Sequence, residues 1–163
     1  MAPQNVRMHR NVRRVVDAAR LLGVDIEPQE FPDGTRTAQD AADAIGVELG
    51  QIVKTLVFLV DGQAVAALVA GDNMLDEKRL AAAAGGGSST RPDADTVREA
   101  TGYPIGGVPP FGHATPLPVF VDRDLLQYDV VWAAAGTPHV NFSIAPDVLV
   151  KATAGTVCDL RRD

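Results

Sequence analysis

Two apolar segments joined by Asp61-Gly62 constrain the fold of this chain more than any other feature. The segments cover residues 52–60 and 63–70 and are rich in Val, Leu and Ala. Apolar runs of this length on either side of an Asp-Gly pair are typical of a β-hairpin, because both residues of the tight turn need positive φ. We therefore predict two antiparallel strands that meet at Asp61-Gly62.

The rest of the chain mixes helices and strands without regular alternation. Helices are predicted over 5–22, from Thr37 to Gly46, over 75–84, over 93–101 and from Pro146 onward. Strands are predicted over 25–31, 118–122, 128–134, 139–144 and 155–160, the first at a sheet edge because Pro28 cannot donate to a central ladder. This order favours an α+β domain with a mixed, mostly antiparallel sheet that is partly barrel-like, and disfavours a doubly wound nucleotide-binding fold.

Length and composition indicate one globular domain over residues 1–163. Apolar residues make up 46% and charged residues 22%, so disorder is not expected. The lone Cys158 excludes an internal disulfide and a cysteine-rich metal site. The N-terminus lacks a secretory apolar region, and no stretch reaches the roughly 18 apolar residues of a membrane helix. We therefore expect a cytoplasmic protein without a membrane partner.

The charge is negative overall but unevenly spread. A net charge of −6 argues against a protein that grips a long nucleic acid by phosphate neutralisation alone. Five arginines nevertheless fall within the first twenty residues: Arg7, Arg10, Arg13, Arg14 and Arg20. Charge alone favours a solvated helix face, but a local basic surface can coexist with an acidic whole. We expect this helix to form any basic contact surface that the protein has.

Lys54 is the most informative single residue. It lies inside the first hairpin strand, where both faces carry apolar side chains, so the strand should be covered on both sides. A desolvated, unpaired ammonium costs several kcal/mol, so it must reach water, a carboxylate or a ligand. One interpretation is a lysine that snorkels to solvent at a strand start. The other is an ammonium held at the mouth of an apolar pocket.

A second signal is the glycine- and proline-rich segment from Gly102 to His113. Four glycines and three prolines lie in these twelve residues. Such a loop is stiff, and its glycines let a ligand approach the backbone N–H groups, which can bind an oxyanion or a carbonyl oxygen. The alternative is an ordinary surface turn, although the length and density of constraint speak against it.

Other catalytic signatures are weak. His113 and His139 have no partner at metal-ligand spacing, so no metal site is predicted and structural hydrogen bonding is favoured over a role as a base. Ser88 and Ser89 follow three glycines, but the nucleophile-elbow pattern is missing.

Together, the lysine strand and the loop resemble the YbaK-like aminoacyl-tRNA deacylase family, which includes the editing insertion of bacterial prolyl-tRNA synthetases. The matching residues are Val53-Lys54-Thr55-Leu56 and the segment from Thr101 to His113. The resemblance covers nearly the whole chain. It implies a mixed, partly barrel-like sheet wrapped by helices, and a hydrolase that needs neither metal nor cofactor.

The resemblance also implies a set of site residues. Lys54 matches the family's functional, catalytic lysine. The loop Gly106-Gly107-Val108-Pro109-Pro110 matches the Gly-x-x-x-Pro segment that lies against the aminoacyl group and terminal adenosine. Thr55 matches the threonine of the cysteine-editing branch, where the alanine-editing branch usually has Asn. His139 lies near a position where some relatives have a pocket histidine. Phe31 stands where some members have Tyr, so a hydroxyl would be missing here.

The function implied is trans-editing: hydrolysis of misacylated tRNA, with Cys-tRNA(Pro) or another small amino acid on tRNA as substrate. The nucleophile would be an ordered water or a group of the substrate. The partners implied are the aminoacylated 3′ end of tRNA and a prolyl-tRNA synthetase, and a homodimer stays open. Two alternatives remain from the residues alone. One is a non-catalytic module that binds aminoacyl-tRNA or the synthetase, and the other is a hydrolase of a different small activated ester or thioester.

Overall fold

The computed structural model describes residues 9–163 of the chain. Within that range the chain forms five α-helices and eight β-strands. The helices are α1 (Arg10–Leu21), α2 (Ala38–Ile45), α3 (Glu77–Ala83), α4 (Ala94–Thr101) and α5 (Pro146–Thr153). The strands are β1 (Gln29–Glu30), β2 (Val53–Val60), β3 (Gln63–Ala70), β4 (Ser89–Thr90), β5 (Val119–Asp122), β6 (Val131–Ala134), β7 (Val140–Ile144) and β8 (Thr156–Cys158). Two short 3₁₀ helices cover Leu49–Gln51 and Arg123–Gln127.

The predicted hairpin is present. β2 and β3 pair antiparallel along their full length, from Val53 opposite Ala70 to Val60 opposite Gln63. Asp61 and Gly62 have φ values of 49° and 85°. Positive φ at both turn residues is what a two-residue type I′ connection requires, and an Asp-Gly pair adopts it at low cost.

The strands form two sheets. The larger sheet has the order β4-β2-β3-β5-β8, in which β4, β2 and β3 are antiparallel neighbours while β3, β5 and β8 run parallel. The smaller sheet, β1-β7-β6, is antiparallel throughout. An isolated bridge between Ile52 and Trp132 joins the two sheets at the start of β2. The α+β class with a mixed, mostly antiparallel sheet is therefore confirmed, and within residues 9–163 the strands do not close into a barrel.

Apolar cores cover both faces of the β2–β3 hairpin. Val53 and Val57 of β2 belong to the larger core, together with Val15 of α1 and residues of β5, β6 and β7. Phe58 and Val60 belong to a second core, closed by Leu80 of α3. The prediction that β2 is covered on both faces is confirmed, and Lys54 therefore lies on a strand that packs against an apolar core on each side.

Local signals mark the element ends. The Thr37 hydroxyl caps α2 by accepting from the Asp40 N–H at 3.0 Å, and Gly46 ends that helix with φ 85°. Part of the predicted first helix, residues 5–8, and Arg7 lie outside the described residues. The predicted strand 25–31 is reduced to Gln29–Glu30 at the edge of the smaller sheet, as expected beside Pro28. No helix in the described part of the chain is long and apolar enough to cross a membrane.

Candidate functional site

A cavity of about 330 Å³ opens along the free edge of β2. β4 pairs with β2 only at Leu59 and Val60, and the bridge to β6 is formed by Ile52, just before β2 begins. The edge from Val53 to Phe58 is therefore left without a partner strand, and every residue in that stretch lines the cavity. The opposite wall comes from α2, the start of α4 and the glycine–proline loop.

The pairing pattern of the hairpin decides which backbone groups face this cavity. The Ala66 N–H donates to Pro118 at 2.9 Å, so Ala66 points toward β5 and its neighbour Ala67 points toward β2. Ala67 lies opposite Leu56 in the register. Because backbone groups alternate sides along a strand, Leu56 bonds to β3, and the N–H and C=O groups of Thr55 and Val57 point to the open edge. These groups are available to a bound molecule.

Lys54 is half-buried and lines the same cavity. Its Nζ donates to the backbone carbonyl of Asn73. Burial lowers the pKa of the ammonium, and the negative charges of Asp72 and Asp122 oppose that shift. A lysine amine has three N–H donors, so the bond to Asn73 leaves two for a ligand.

A buried hydrogen-bond network holds the partner of Lys54 in place. The Asn73 side-chain amide donates to Asp122 Oδ2 and to Asp124 Oδ2, each at 2.8 Å. Asp122 is fully buried and also accepts from the backbone N–H of Ala70 at 3.1 Å. The network fixes the segment that follows β3, and with it the carbonyl that receives the Lys54 amine.

The loop that faces Lys54 across the cavity is built around a tight turn. The Gly107 N–H donates to the Pro104 carbonyl at 3.0 Å, and Gly106 has φ 91°. This is the pattern of a type II turn, whose third residue needs positive φ and so favours glycine. Gly106 and Val108 line the cavity, whereas Pro109 and Pro110 are buried beneath it. The His113 Nε2–H donates to the Pro109 carbonyl at 2.7 Å, a structural bond inside the loop.

Thr55 contributes an unusual polar group to the cavity wall. Its hydroxyl oxygen is buried and has no hydrogen-bond partner among residues 9–163. Buried polar groups are normally paired because an unmade hydrogen bond costs about 1–3 kcal/mol. A buried hydroxyl on a cavity wall that lacks a partner in the protein is suited to form a hydrogen bond with a ligand.

Not all predicted site residues meet at this cavity. Lys54, Thr55, Gly106 and Val108 line it, whereas Gly107 packs against the backbone of Thr137 behind the loop. His139 is exposed and lines a second cavity of about 320 Å³, beside His9 and Asn11. Phe31 lines neither cavity, and its N–H donates to the His139 carbonyl at 2.7 Å. The substrate-binding roles of His139 and Phe31 stay predictions.

Sequence reasoning missed several residues of the site. Arg36 and Arg91 reach the cavity from two loops. Thr35 and Asn141 line it as a pair, in which the Asn141 amide donates to the Thr35 hydroxyl. No local pattern signals these residues, because each belongs to a different segment and only the packing brings them together.

The arginines of α1 do not all act as free surface charges, because some of them make contacts within the fold. The Arg14 guanidinium lies 4.5 Å from the centroid of the Tyr103 ring and donates to the Gly102 carbonyl at 3.3 Å. Arg20 pairs with Asp17 at 3.9 Å. Arg10 and Arg13 are exposed and make no side-chain ion pair within the described range. Arg14 therefore stabilises the entrance to the glycine–proline loop, and Arg10 and Arg13 are the exposed arginines of α1 that are engaged in neither kind of contact.

Comparisons with known proteins agree on one family. The model of the aminoacyl-tRNA editing domain matches residues 32–152. EbsC of Enterococcus faecalis, named as a proposed Cys-tRNA(Pro)/Cys-tRNA(Cys) deacylase, is 27% identical over 163 residues, 98% of each chain. A proline–tRNA ligase of Maridesulfovibrio salexigens is 34% identical over 125 residues, which are 74% of this chain but only 21% of the ligase.

A solved structure gives the same result. A proposed trans-editing enzyme for prolyl-tRNA synthetase superimposes with a TM-score of 0.90 at 44% identity. The match covers 96% of this chain and 99% of that structure. The similarity therefore extends well beyond the cavity to the whole described fold. Given the family match over most of its length, this chain belongs to the aminoacyl-tRNA editing domain family.

Proposed function

We propose that this chain is a trans-editing deacylase that hydrolyses the ester of misacylated tRNA, with Cys-tRNA(Pro) as its preferred substrate. The observation that carries the proposal is the meeting of Lys54, the Gly106 turn and the open edge of β2 at one apolar cavity. The name of the relative EbsC supports cysteine as the amino acid removed. Alanine, serine or threonine on tRNA are the other small candidates.

The reaction needs little from the protein beyond positioning and charge. A nucleophile adds to the ester carbonyl carbon, and the carbonyl oxygen becomes negative in the transition state. The C–O bond to the ribose then breaks, and the nucleophile's proton passes to the ribose oxygen. Fixed donors aimed at the developing oxyanion are the largest single source of rate enhancement in such reactions. Lys54 and the open backbone N–H groups of Thr55 and Val57 are the donors that this cavity offers.

The nucleophile comes from water or from the substrate. Neither histidine outside the first helix suits the role of base: His113 is bonded inside its loop, and His139 is exposed at the second cavity. A bound water, oriented by a ribose hydroxyl, would attack the carbonyl and release the amino acid. Alternatively, the cysteine thiol of the substrate would attack, expel the ribose oxygen and leave as a thiolactone that water then opens. We propose that the reaction proceeds without a metal ion.

Size selection accounts for the preference for small amino acids. The buried apolar residues of the cavity lining include Ala41, Val53, Val57, Val97 and Val108. A hydrophobic pocket distinguishes two amino acids that differ by one methylene by only about 1–3 kcal/mol. This difference is too small to keep every correctly charged tRNA from being hydrolysed. We therefore propose that the tRNA, or a prolyl-tRNA synthetase that holds it, supplies the remaining selectivity.

The test is deacylation by Lys54→Ala on Cys-, Ala-, Ser- and Thr-charged tRNA(Pro). We expect kcat/KM on the preferred substrate to fall by about 100-fold or more, the usual effect of losing an oxyanion donor. Lys151→Ala is the matched control, because Lys151 is an exposed lysine on α5 that does not line the cavity. Its rate should equal that of the unaltered protein.

Three results would contradict the proposal. Hydrolysis by Lys54→Ala at the unaltered rate would remove the amine from the reaction. Tight binding of all four charged tRNAs by the unaltered protein, without release of amino acid, would instead identify a non-catalytic binding module. Full activity on small aminoacyl esters and none on charged tRNA would indicate a different esterase.

A further inference from the structure

The rim of the cavity has a consistent charge. Among residues 9–163, the lining includes three cationic side chains, Arg36, Lys54 and Arg91, and no acidic one. This stands out in a chain with a net charge of −6 and 21 acidic residues. A concave surface of one sign attracts ligands of the opposite sign. The cavity is therefore suited to a ligand with negative charge near its entrance.

Arg36 and Arg91 form no ion pair with another side chain in the described part of the chain. The ion pairs formed within residues 9–163 use Arg20, Arg79, Arg123 and Arg161. Arg36 and Arg91 are exposed and take part in none of these pairs. Because neither guanidinium is engaged with a carboxylate, both can bind an anionic ligand without breaking an ion pair.

The two guanidinium groups come from the two walls of the cavity. The Arg91 guanidinium lies 5.6 Å from the centroid of the Phe58 ring, over β2. Arg36 approaches the loop, where its Cγ lies 3.9 Å from the position that a Cβ on Gly106 would occupy. Lys54, by contrast, is half-buried and bonded to Asn73. Lys54 thus occupies the interior, and the two arginines flank the entrance.

This depth order matches the chemistry of a charged tRNA end. In a 3′-terminal aminoacyl nucleotide, the ribose carries the ester on one side and a phosphodiester, through its 5′ oxygen, on the other. With the ester carbonyl at Lys54 and the amino acid in the apolar interior, the ribose fills the neck and the phosphodiesters emerge at the rim. Guanidinium groups bind phosphate oxygens with paired, charge-assisted hydrogen bonds.

We propose that Arg36 and Arg91 bind the phosphodiester groups of the last nucleotides of the acceptor strand. This inference rests on the proposed deacylase function and adds a requirement to it. The enzyme acts on aminoacyl esters at the end of a polynucleotide and discriminates against free aminoacyl nucleosides, which lack the phosphates. Arg36 and Arg91 are binding residues here, with no part in breaking the ester bond.

The test compares two substrates in three variants. Arg36→Gln, Arg91→Gln and the control Lys151→Gln each lose one positive charge. Hydrolysis is measured on Cys-tRNA(Pro) and on 3′-O-cysteinyl-adenosine, which has no phosphate. For the two arginine variants we expect KM on the charged tRNA to rise roughly tenfold, with kcat nearly unchanged. Their rates on the nucleoside ester should match those of the unaltered protein. The salt dependence of tRNA binding should weaken by about 0.7 in log–log slope for each arginine removed.

The outcomes separate this proposal from the deacylase proposal. Equal KM values for all three variants on charged tRNA would overturn the role of the arginines while leaving deacylation intact. Equal losses on both substrates would also overturn it, because that pattern indicates general damage to the cavity. If the unaltered protein hydrolyses neither substrate, the deacylase proposal fails. Anisotropy titration with an RNA oligonucleotide ending in CCA then decides the arginine proposal: weaker binding by the arginine variants supports it, and binding equal to Lys151→Gln overturns it.

Discussion

At the scale of single residues, Lys54 is subject to two opposing effects. Burial lowers the pKa of its ammonium, while the carboxylates of Asp72 and Asp122 act to raise it. Because the folded pKa is below that of a free lysine, the deprotonated amine is favoured at a lower pH than usual. Activity that depends on the cation should therefore decline with rising pH through that lowered pKa.

Asp72→Asn tests this balance without disturbing the core, because Asp72 is exposed whereas Asp122 is fully buried. Removing the Asp72 charge should lower the pKa of Lys54 further. The alkaline decline of kcat/KM should then begin at a lower pH, with the neutral-pH rate changed less than about threefold. The measurement is a pH profile on charged tRNA, corrected for spontaneous ester hydrolysis.

Asp147→Asn is the matched control, since Asp147 is an exposed acid on α5 and is not one of the carboxylates that raise the pKa of Lys54. Its profile should coincide with that of the unaltered protein. If the pH profile of Asp72→Asn also coincides with that of the unaltered protein, then the titration of Lys54 does not cause the alkaline decline of kcat/KM.

At the scale of elements, the site depends on how the glycine–proline loop packs on the segment before β7. Gly107 lies so close to Gly136 and Thr137 that a Cβ would come within 2.9 Å of the Thr137 Cα and N atoms. Both contacts are with backbone, which cannot move aside as a flexible side chain can. The loop position, and therefore the place of Gly106 at the cavity, depends on the absence of a side chain at residue 107.

Gly107→Ala should displace the loop and impair the site. We expect a loss of about 1–3 kcal/mol in the free energy of unfolding, the usual cost of overpacking, and a fall in kcat/KM of about tenfold or more. Denaturant unfolding and deacylation rates measure the two effects.

Gly87→Ala is the control for this change. A Cβ on Gly87 would meet only Asp61 Oδ1, at 3.7 Å, an ordinary contact. Its effect on stability should stay within about 0.5 kcal/mol, as for most surface substitutions. Equal behaviour of the two alanine variants would show that the loop tolerates a side chain at 107.

At the scale of the whole molecule, the proposed function requires a protein with a net charge of −6 to bind tRNA, a polyanion, through a few local basic groups. Arg14 is already engaged with Tyr103 and Gly102, so the free charge of the first helix comes from Arg10 and Arg13 among the described residues. The start of α1 adjoins the second cavity, which His9 and Asn11 line together with His139. This face could contact tRNA beyond its 3′ end.

The double variant Arg10→Glu/Arg13→Glu should weaken tRNA binding by about tenfold at low salt, and the difference should shrink as salt rises. Hydrolysis of the phosphate-free nucleoside ester should be unchanged, because α1 contributes no residue to the lining of the cavity on β2. Filter binding at several salt concentrations measures the first effect. Affinity equal to that of the unaltered protein would assign tRNA recognition to the cavity rim alone.

Local sequence determined much of this protein. The hairpin follows from two apolar runs around Asp61-Gly62, and α2 follows from its Thr37 cap and the Gly46 stop, since each signal acts between residues close in the chain. Lys54 and the Gly106 loop could be identified for the same reason: a lysine in an apolar strand and a dense run of glycine and proline are visible without any tertiary contact.

Tertiary structure alone decided how these parts make a cavity. The edge of β2 is open because β4 and β6 meet it only at its two ends, a consequence of sheet order that no local pattern encodes. Arg36 and Arg91 are 55 positions apart in the sequence, yet both line the same cavity. His139, by contrast, lies at a different cavity. Which distant residues meet depends on the packing of the whole chain. Burial of the shared apolar cores supplies the free energy that brings distant segments together, and the residues at the rim do not.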